Sequence, residues 1–229
     1  MGTTVVVGGS NGIGRVIAER AAGRGETVVI TSRDEGRARA VAGEIGGATT
    51  GLGLDLSAPA TIEAGLAGVG EVDHLVITAI EQTTQNIKEF DVASAISSAT
   101  IKLVGYAETV RVLHDRFRPG ASVVLFGGLA RQWPYPGSTM VTTINAGVTG
   151  LIRTLAREIA PFRVNALHSG VVGDSPKWSA MKDTHPAIDH TPIGRLVTMD
   201  EVAEATEFLL RNGGMNGHDL NIDGGWMLT

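Results

Sequence analysis

The chain contains no cysteine. Disulfide scaffolding, thiolate nucleophiles and cysteine metal centres are therefore excluded. Aromatic residues make up 4% of its 229 positions, while glycine occurs 31 times. A chain so poor in rings and so rich in glycine suits tightly packed layers of helix on sheet. Basic residues number 19 against 24 acidic ones, a formal charge of −5. That balance argues against nucleic acid as a partner, because phosphate binding needs a basic patch. No apolar run approaches the roughly 20 residues of a membrane span. The strand pattern begins at Thr3. It leaves no room for a signal peptide, so the expectation is a soluble cytoplasmic protein.

What is present reads as one domain over 1–229, with 43% hydrophobic residues to supply its core. The runs Val5-Val6-Val7 and Val123-Val124-Leu125-Phe126 are unbroken rather than alternating. Unbroken runs suit strands covered on both faces. Strands are predicted over Thr4–Val7, Thr27–Thr31, Gly51–Leu54, His74–Thr78, Ser122–Phe126, Arg163–Leu167 and His218–Ile222. Helices are predicted over 12–24, 34–45, 59–68, 91–117, 138–160 and 199–211, the last opened by Asp200. This order predicts an α/β fold: a Rossmann-type, doubly wound, parallel seven-stranded sheet with helices on both faces, in three layers. Between 174 and 198, Pro176, Pro186 and Pro192 interrupt a stretch of little periodicity, read here as a substrate lid.

The segment Val7-Gly8-Gly9-Ser10-Asn11-Gly12-Ile13-Gly14 joins the first strand to a helix start. Gly8 permits the tight turn, Gly12 a close backbone approach to pyrophosphate, and Gly14 close helix–strand packing. The helix start then offers free N–H groups and a positive dipole end to phosphates. The second strand ends Thr31-Ser32-Arg33. An arginine there pairs with a ribose 2′-phosphate, whereas the acidic residue of an NAD site would repel it. NADP(H) is therefore expected over NAD(H). The alternative for Arg33 is a solvated residue at a helix start.

Further segments resemble the short-chain dehydrogenase/reductase family over nearly the whole chain. They are Gly51-Leu52-Gly53-Leu54-Asp55-Leu56, Gly147-Val148-Thr149-Gly150-Leu151, Arg163-Val164-Asn165-Ala166 leading to Gly170, and Asn221-Ile222-Asp223-Gly224-Gly225. The resemblance implies an oxidoreductase acting on a small molecule. It carries cofactor contacts onto Asp55 and Leu56 at the adenine, Thr78 and Ala79 after the fourth strand, and Asn145, Gly170 and Val172 near the nicotinamide. Asp55 could alternatively only cap the next helix. The family assembles as dimers or tetramers through two long helices, which would be those at 91–117 and 138–160.

The family's catalytic tyrosine and lysine positions hold Val141 and Asn145, its serine position Gly128, and its asparagine position Lys102. Ser169 replaces a proline, and Asp174 a carboxamide-binding threonine. The familiar proton transfer is thus unavailable. Lys102, Tyr135, His168 and Asn145 are the candidates to replace it, with Glu81, Ser138, Thr142 and Asp174 as further polar groups at that end. Tyr135 could instead anchor its loop, His168 serve only structurally, and Lys102 reach out to solvent. No metal-ligand pattern is present. The leading expectation is an NADP(H)-dependent oxidoreductase with a non-standard site, acting on a conjugated enone, imine or quinone. The alternatives are a non-redox isomerase, cyclase or lyase that retains a nucleotide, and a nucleotide-binding regulatory protein.

Overall fold

Val5 and Val7 pack into one helix layer and Val6 into the other, which is why all three are apolar. The same alternation divides Val123 and Leu125 from Val124 and Phe126. The computed structural model describes residues 2–81 and 85–229. Its strands are β1 (Thr3–Val7), β2 (Thr27–Ser32), β3 (Thr49–Gly53), β4 (Val72–Ile77), β5 (Phe117–Phe126), β6 (Arg163–Ser169) and β7 (Asp219–Ile222). They form one parallel sheet in the order β3-β2-β1-β4-β5-β6-β7.

The helices are α1 (Gly12–Gly23), α2 (Glu35–Ile45), α3 (Ile62–Gly65), α4 (Val92–Ala99), α5 (Tyr106–Leu113), α6 (Thr139–Glu158) and α7 (Met199–Arg211). Tyr106, Val148 and Ile152 fill the core on one face of the sheet; Ile17, Ala21, Val202 and Leu209 fill it on the other. The predicted three-layer, doubly wound architecture is therefore the observed one. No described helix is long and apolar enough to cross a membrane.

Several boundaries differ from expectation by a few residues, β5 beginning at Phe117 rather than Ser122, and three of the differences have a local reason. The predicted helix at 91–117 is two α-helices joined by a π-helical stretch, Thr100–Gly105. Gly105 packs there so closely on the segment after β3 that a Cβ would lie 2.8 Å from the Leu56 Cβ. The chain leaves the helix early, and Phe117 already belongs to β5, its ring 5.4 Å from that of Phe162, edge to face. The predicted helix at 59–68 shrinks to a 3-10 turn at Pro59–Thr61 and the single turn of α3. Glycines at 65, 68 and 70 give it little helical propensity. Thr198, not Asp200, opens α7: its hydroxyl accepts the Glu201 N–H at 3.2 Å while Glu201 accepts the Thr198 N–H at 2.9 Å.

The sheet order reverses between β1 and β4. Chains leaving those two strands diverge, and the crevice between them opens at their C-terminal ends.

Candidate functional site

That crevice is a cleft of about 650 Å³. Its floor is the turn after β1. Gly8 has φ +88° there, and a Cβ on it would meet the Thr78 hydroxyl at 2.8 Å. Gly14 lies so close under the turn that a Cβ would collide with the Gly8 carbonyl oxygen. Gly12, at φ +52°, faces open space, with only the Pro176 ring at 3.6 Å. Asn11 gives no side-chain cap to α1, so the first N–H groups of that helix stay free for an anion. A backbone cradle that side chains would fill, set at an uncapped helix start, fits a dinucleotide pyrophosphate.

The residues expected to bind a nucleotide come together here. Gly8, Ser10, Asn11, Gly12, Ile13 and Gly14 line the cleft floor. Ser32 and Arg33 stand at the end of β2, and Asp55 and Leu56 after β3. Asp55 is held by the Ser57 N–H at 2.9 Å and the Ser57 hydroxyl at 2.7 Å. Thr78, Ala79, Gly170 and Val172 close the other side. Asn145 stands apart from this wall and belongs to the adjoining cavity. Sequence reasoning missed Arg37, Pro176, Lys177 and Trp178, which also line the cleft. Arg37 had a readable signal, a second cation four residues after Arg33. Neither arginine forms an ion pair among the described residues.

The adjoining cavity, about 370 Å³, shares Ile80, Glu81, Gly127 and Lys177 with the cleft. Lys102 reaches into it from the π-helical stretch while only 5% exposed. Its Nζ donates to the Asn145 Oδ1 at 2.8 Å. Burial lowers the Lys102 pKa from 10.5 to about 8. The Asn145 amide nitrogen occupies the space beside Gly128, where an added Cβ would lie only 2.8 Å from it. Val141 adds an apolar wall next to Lys102, and Tyr135 lines the same cavity. Glu81, also here, accepts a hydrogen bond from the Ser97 hydroxyl at 2.7 Å.

Four of the polar candidates are engaged elsewhere. His168 is fully buried, lines none of the cavities described here, and holds its Nε2 2.8 Å from the Asp219 Oδ1. Burial, reinforced by Arg131, pushes its pKa down to about 4, so it is neutral and structural. The strand end was the right place, but the side chain points into the core between β6 and β7. Asp174 accepts the Met199 N–H at 2.7 Å and so ties down the start of α7. Ser138 is spent on its own turn, accepting the Tyr135 N–H at 2.9 Å and donating to the Tyr135 carbonyl at 2.6 Å. Thr142 pairs with the Ser138 hydroxyl at 2.9 Å.

A family model described as enoyl-(acyl carrier protein) reductase matches residues 7–227. The 3-oxoacyl-(acyl-carrier-protein) reductase of Mus musculus is 29% identical, over 98% of this chain and 97% of its own. The enzyme of that name from Escherichia coli K12 is 30% identical over the same shares. A solved short chain dehydrogenase/reductase family protein superposes with a TM-score of 0.88 at 28% identity, covering 100% of this chain and 98% of its own.

The chain belongs to the short-chain dehydrogenase/reductase family. Lys102 and Asn145 come from different helical segments, and a hydrogen bond joins them. Any side chain at position 128 would crowd the Asn145 amide, so the glycine there suits the place that Asn145 takes.

Proposed function

We propose that this short-chain dehydrogenase/reductase is an NADP(H)-dependent reductase of a small conjugated carbonyl compound, with Lys102 as its proton donor. The observation that carries this reading is the buried Lys102 ammonium, bonded to Asn145 at 2.8 Å, in a cavity continuous with the nucleotide cleft. The glycine floor and the α1 N-terminus would hold the pyrophosphate, and Arg33 with Arg37 the 2′-phosphate. When bound, the reduced nicotinamide supplies a hydride.

The chain's own residues supply the rest. As a conjugated enone accepts the hydride at its β-carbon, the electron pair of the C=C bond moves toward the carbonyl oxygen. The Lys102 ammonium stabilises that developing charge and gives the oxygen one proton. The product is an enol, which tautomerises to the saturated ketone; Lys102 remains as a neutral amine until solvent returns its proton. A pKa of about 8 keeps Lys102 protonated at neutral pH yet makes it a far better acid than an ordinary lysine. Asn145 is the positioning residue, fixing the Nζ in both protonation states through its amide. Pro176, Lys177 and Trp178 line the cleft, and as part of a lid they would shield bound reactants from water.

The cofactor half is tested by titrating the protein with NADPH and NADH, following nicotinamide fluorescence. NADPH should bind more tightly. Arg33→Ala should weaken NADPH roughly tenfold or more, about 1.4 kcal/mol per tenfold, and leave NADH nearly unchanged. Equal losses for both nucleotides would remove Arg33 from the 2′-phosphate.

A further inference from the structure

The chain has three tryptophans and two tyrosines. All three tryptophans and Tyr135 line a single cavity of about 490 Å³ beside the Lys102 cavity. The other tyrosine, Tyr106, is fully buried in the core. Trp133 and Tyr135 are left 49% and 51% exposed, although a folded chain gains by covering such rings.

Separate parts of the chain deliver these rings, and the backbone or the ring is anchored in each. Trp133 and Tyr135 sit in a loop stiffened by Pro134 and Pro136, and the Tyr135 N–H is bonded to the Ser138 hydroxyl at 2.9 Å. Trp178 carries the Lys177 ammonium 4.6 Å from its ring centroid and the His185 ring edge-on at 4.6 Å. Trp226 follows the Asp223 turn, whose carboxylate accepts the Gly225 N–H at 2.9 Å and the Met227 N–H at 3.1 Å. Rings carried on three anchored segments have little backbone freedom to lose on binding.

The cavity shares Tyr135, Val141 and Asn145 with the Lys102 cavity. It also shares Ser169, Gly170 and Trp178 with the nucleotide cleft. A group bound among these rings is therefore joined directly to the place where a hydride and a proton arrive. The Lys102 ammonium next door disfavours a cationic occupant. A flexible aliphatic chain in such a space gains from apolar burial but loses rotational freedom, whereas a planar ring is rigid and also stacks on the flat faces or meets their edges.

We infer that this cavity binds a planar aromatic group on the substrate, conjugated to the carbonyl compound that is reduced. The inference rests on the reductase reading for the carbonyl and on the cavity alone for the ring. The two are separated by a matched pair of probes with the same reducible group: 4-phenyl-3-buten-2-one, which carries a ring, and 3-penten-2-one, which does not. Binding is followed by calorimetry and by tryptophan fluorescence, which reports this cavity because every tryptophan lines it. The aryl enone should bind roughly tenfold or more tightly than the alkyl enone and quench the fluorescence. Trp133→Ala and Trp226→Leu should each reduce that preference and leave NADPH binding unchanged, since neither residue lines the nucleotide cleft. Equal binding of the two enones, or a preference that survives both substitutions, overturns the inference even if NADPH binds and both enones are reduced. Aryl preference in a protein that binds no NADPH supports the ring site and instead overturns the reductase reading.

Discussion

Lys102→Met is expected to slow enone reduction by roughly 10²- to 10⁴-fold, the range for loss of a general acid. The same substitution should stabilise the protein at neutral pH. Folding holds the Lys102 pKa at about 8 against its ordinary 10.5, a difference worth roughly 3 kcal/mol. The unfolded chain therefore binds that proton more tightly than the folded one. Ionised Lys102 destabilises the fold fully below pH 8, and the cost fades as pH rises from 8 toward 10.5. Methionine removes the charge but leaves the Asn145 Oδ1 without its partner, so the net gain should be about 1–2 kcal/mol at pH 7. Urea unfolding at pH 7 and pH 10 checks both signs: the variant should lead at the lower pH and lose its advantage at the higher. A lysine retained only for packing would give a less stable variant with near-normal turnover.

Gly14→Ala should abolish nucleotide binding and weaken the fold. The new Cβ would strike the Gly8 carbonyl oxygen and lie 2.6 Å from the Thr78 hydroxyl. The carbonyl is backbone and cannot rotate away, so α1 has to move off the turn it packs against. Overpacking of this kind costs about 1–3 kcal/mol. A shifted α1 also carries its free N–H groups away from the pyrophosphate. NADPH affinity should fall roughly 100-fold or more, at about 1.4 kcal/mol per tenfold, with a lower melting temperature. Normal affinity in this variant would show that the glycine turn does not hold the nucleotide.

The layered fold was legible because its signals are local. Val5-Val6-Val7 is apolar at every position, and only a strand covered on both faces needs that. The glycine turn was legible for the same reason: Gly8, Gly12 and Gly14 act through their own backbones. The proton-transfer end was less legible because its chemistry depends on which way side chains point. Lys102 and His168 were equal candidates in sequence. Lys102 proved buried yet bordering a cavity, while His168 turned inward to Asp219. The pairing of Lys102 with Asn145 spans two helices and has no signature within either segment. Trp178 was missed because the stretch around it has no periodicity to assign it a face, and the break at Thr100–Gly105 because the close approach of Gly105 to Leu56 is a contact between distant segments.

Lys102 supplies the proton, and the pH dependence of kcat/KM, which reports groups of the enzyme before the enone binds, tests this most directly. The measurement follows NADPH-dependent reduction of 4-phenyl-3-buten-2-one in the wild-type protein and in Lys102→Met. The wild-type kcat/KM should be level at lower pH and fall about tenfold per pH unit above a break near pH 8, as the ammonium loses its proton. In Lys102→Met it should be low and show no such break. A wild-type profile with no break near pH 8, or the same break in both proteins, would contradict it.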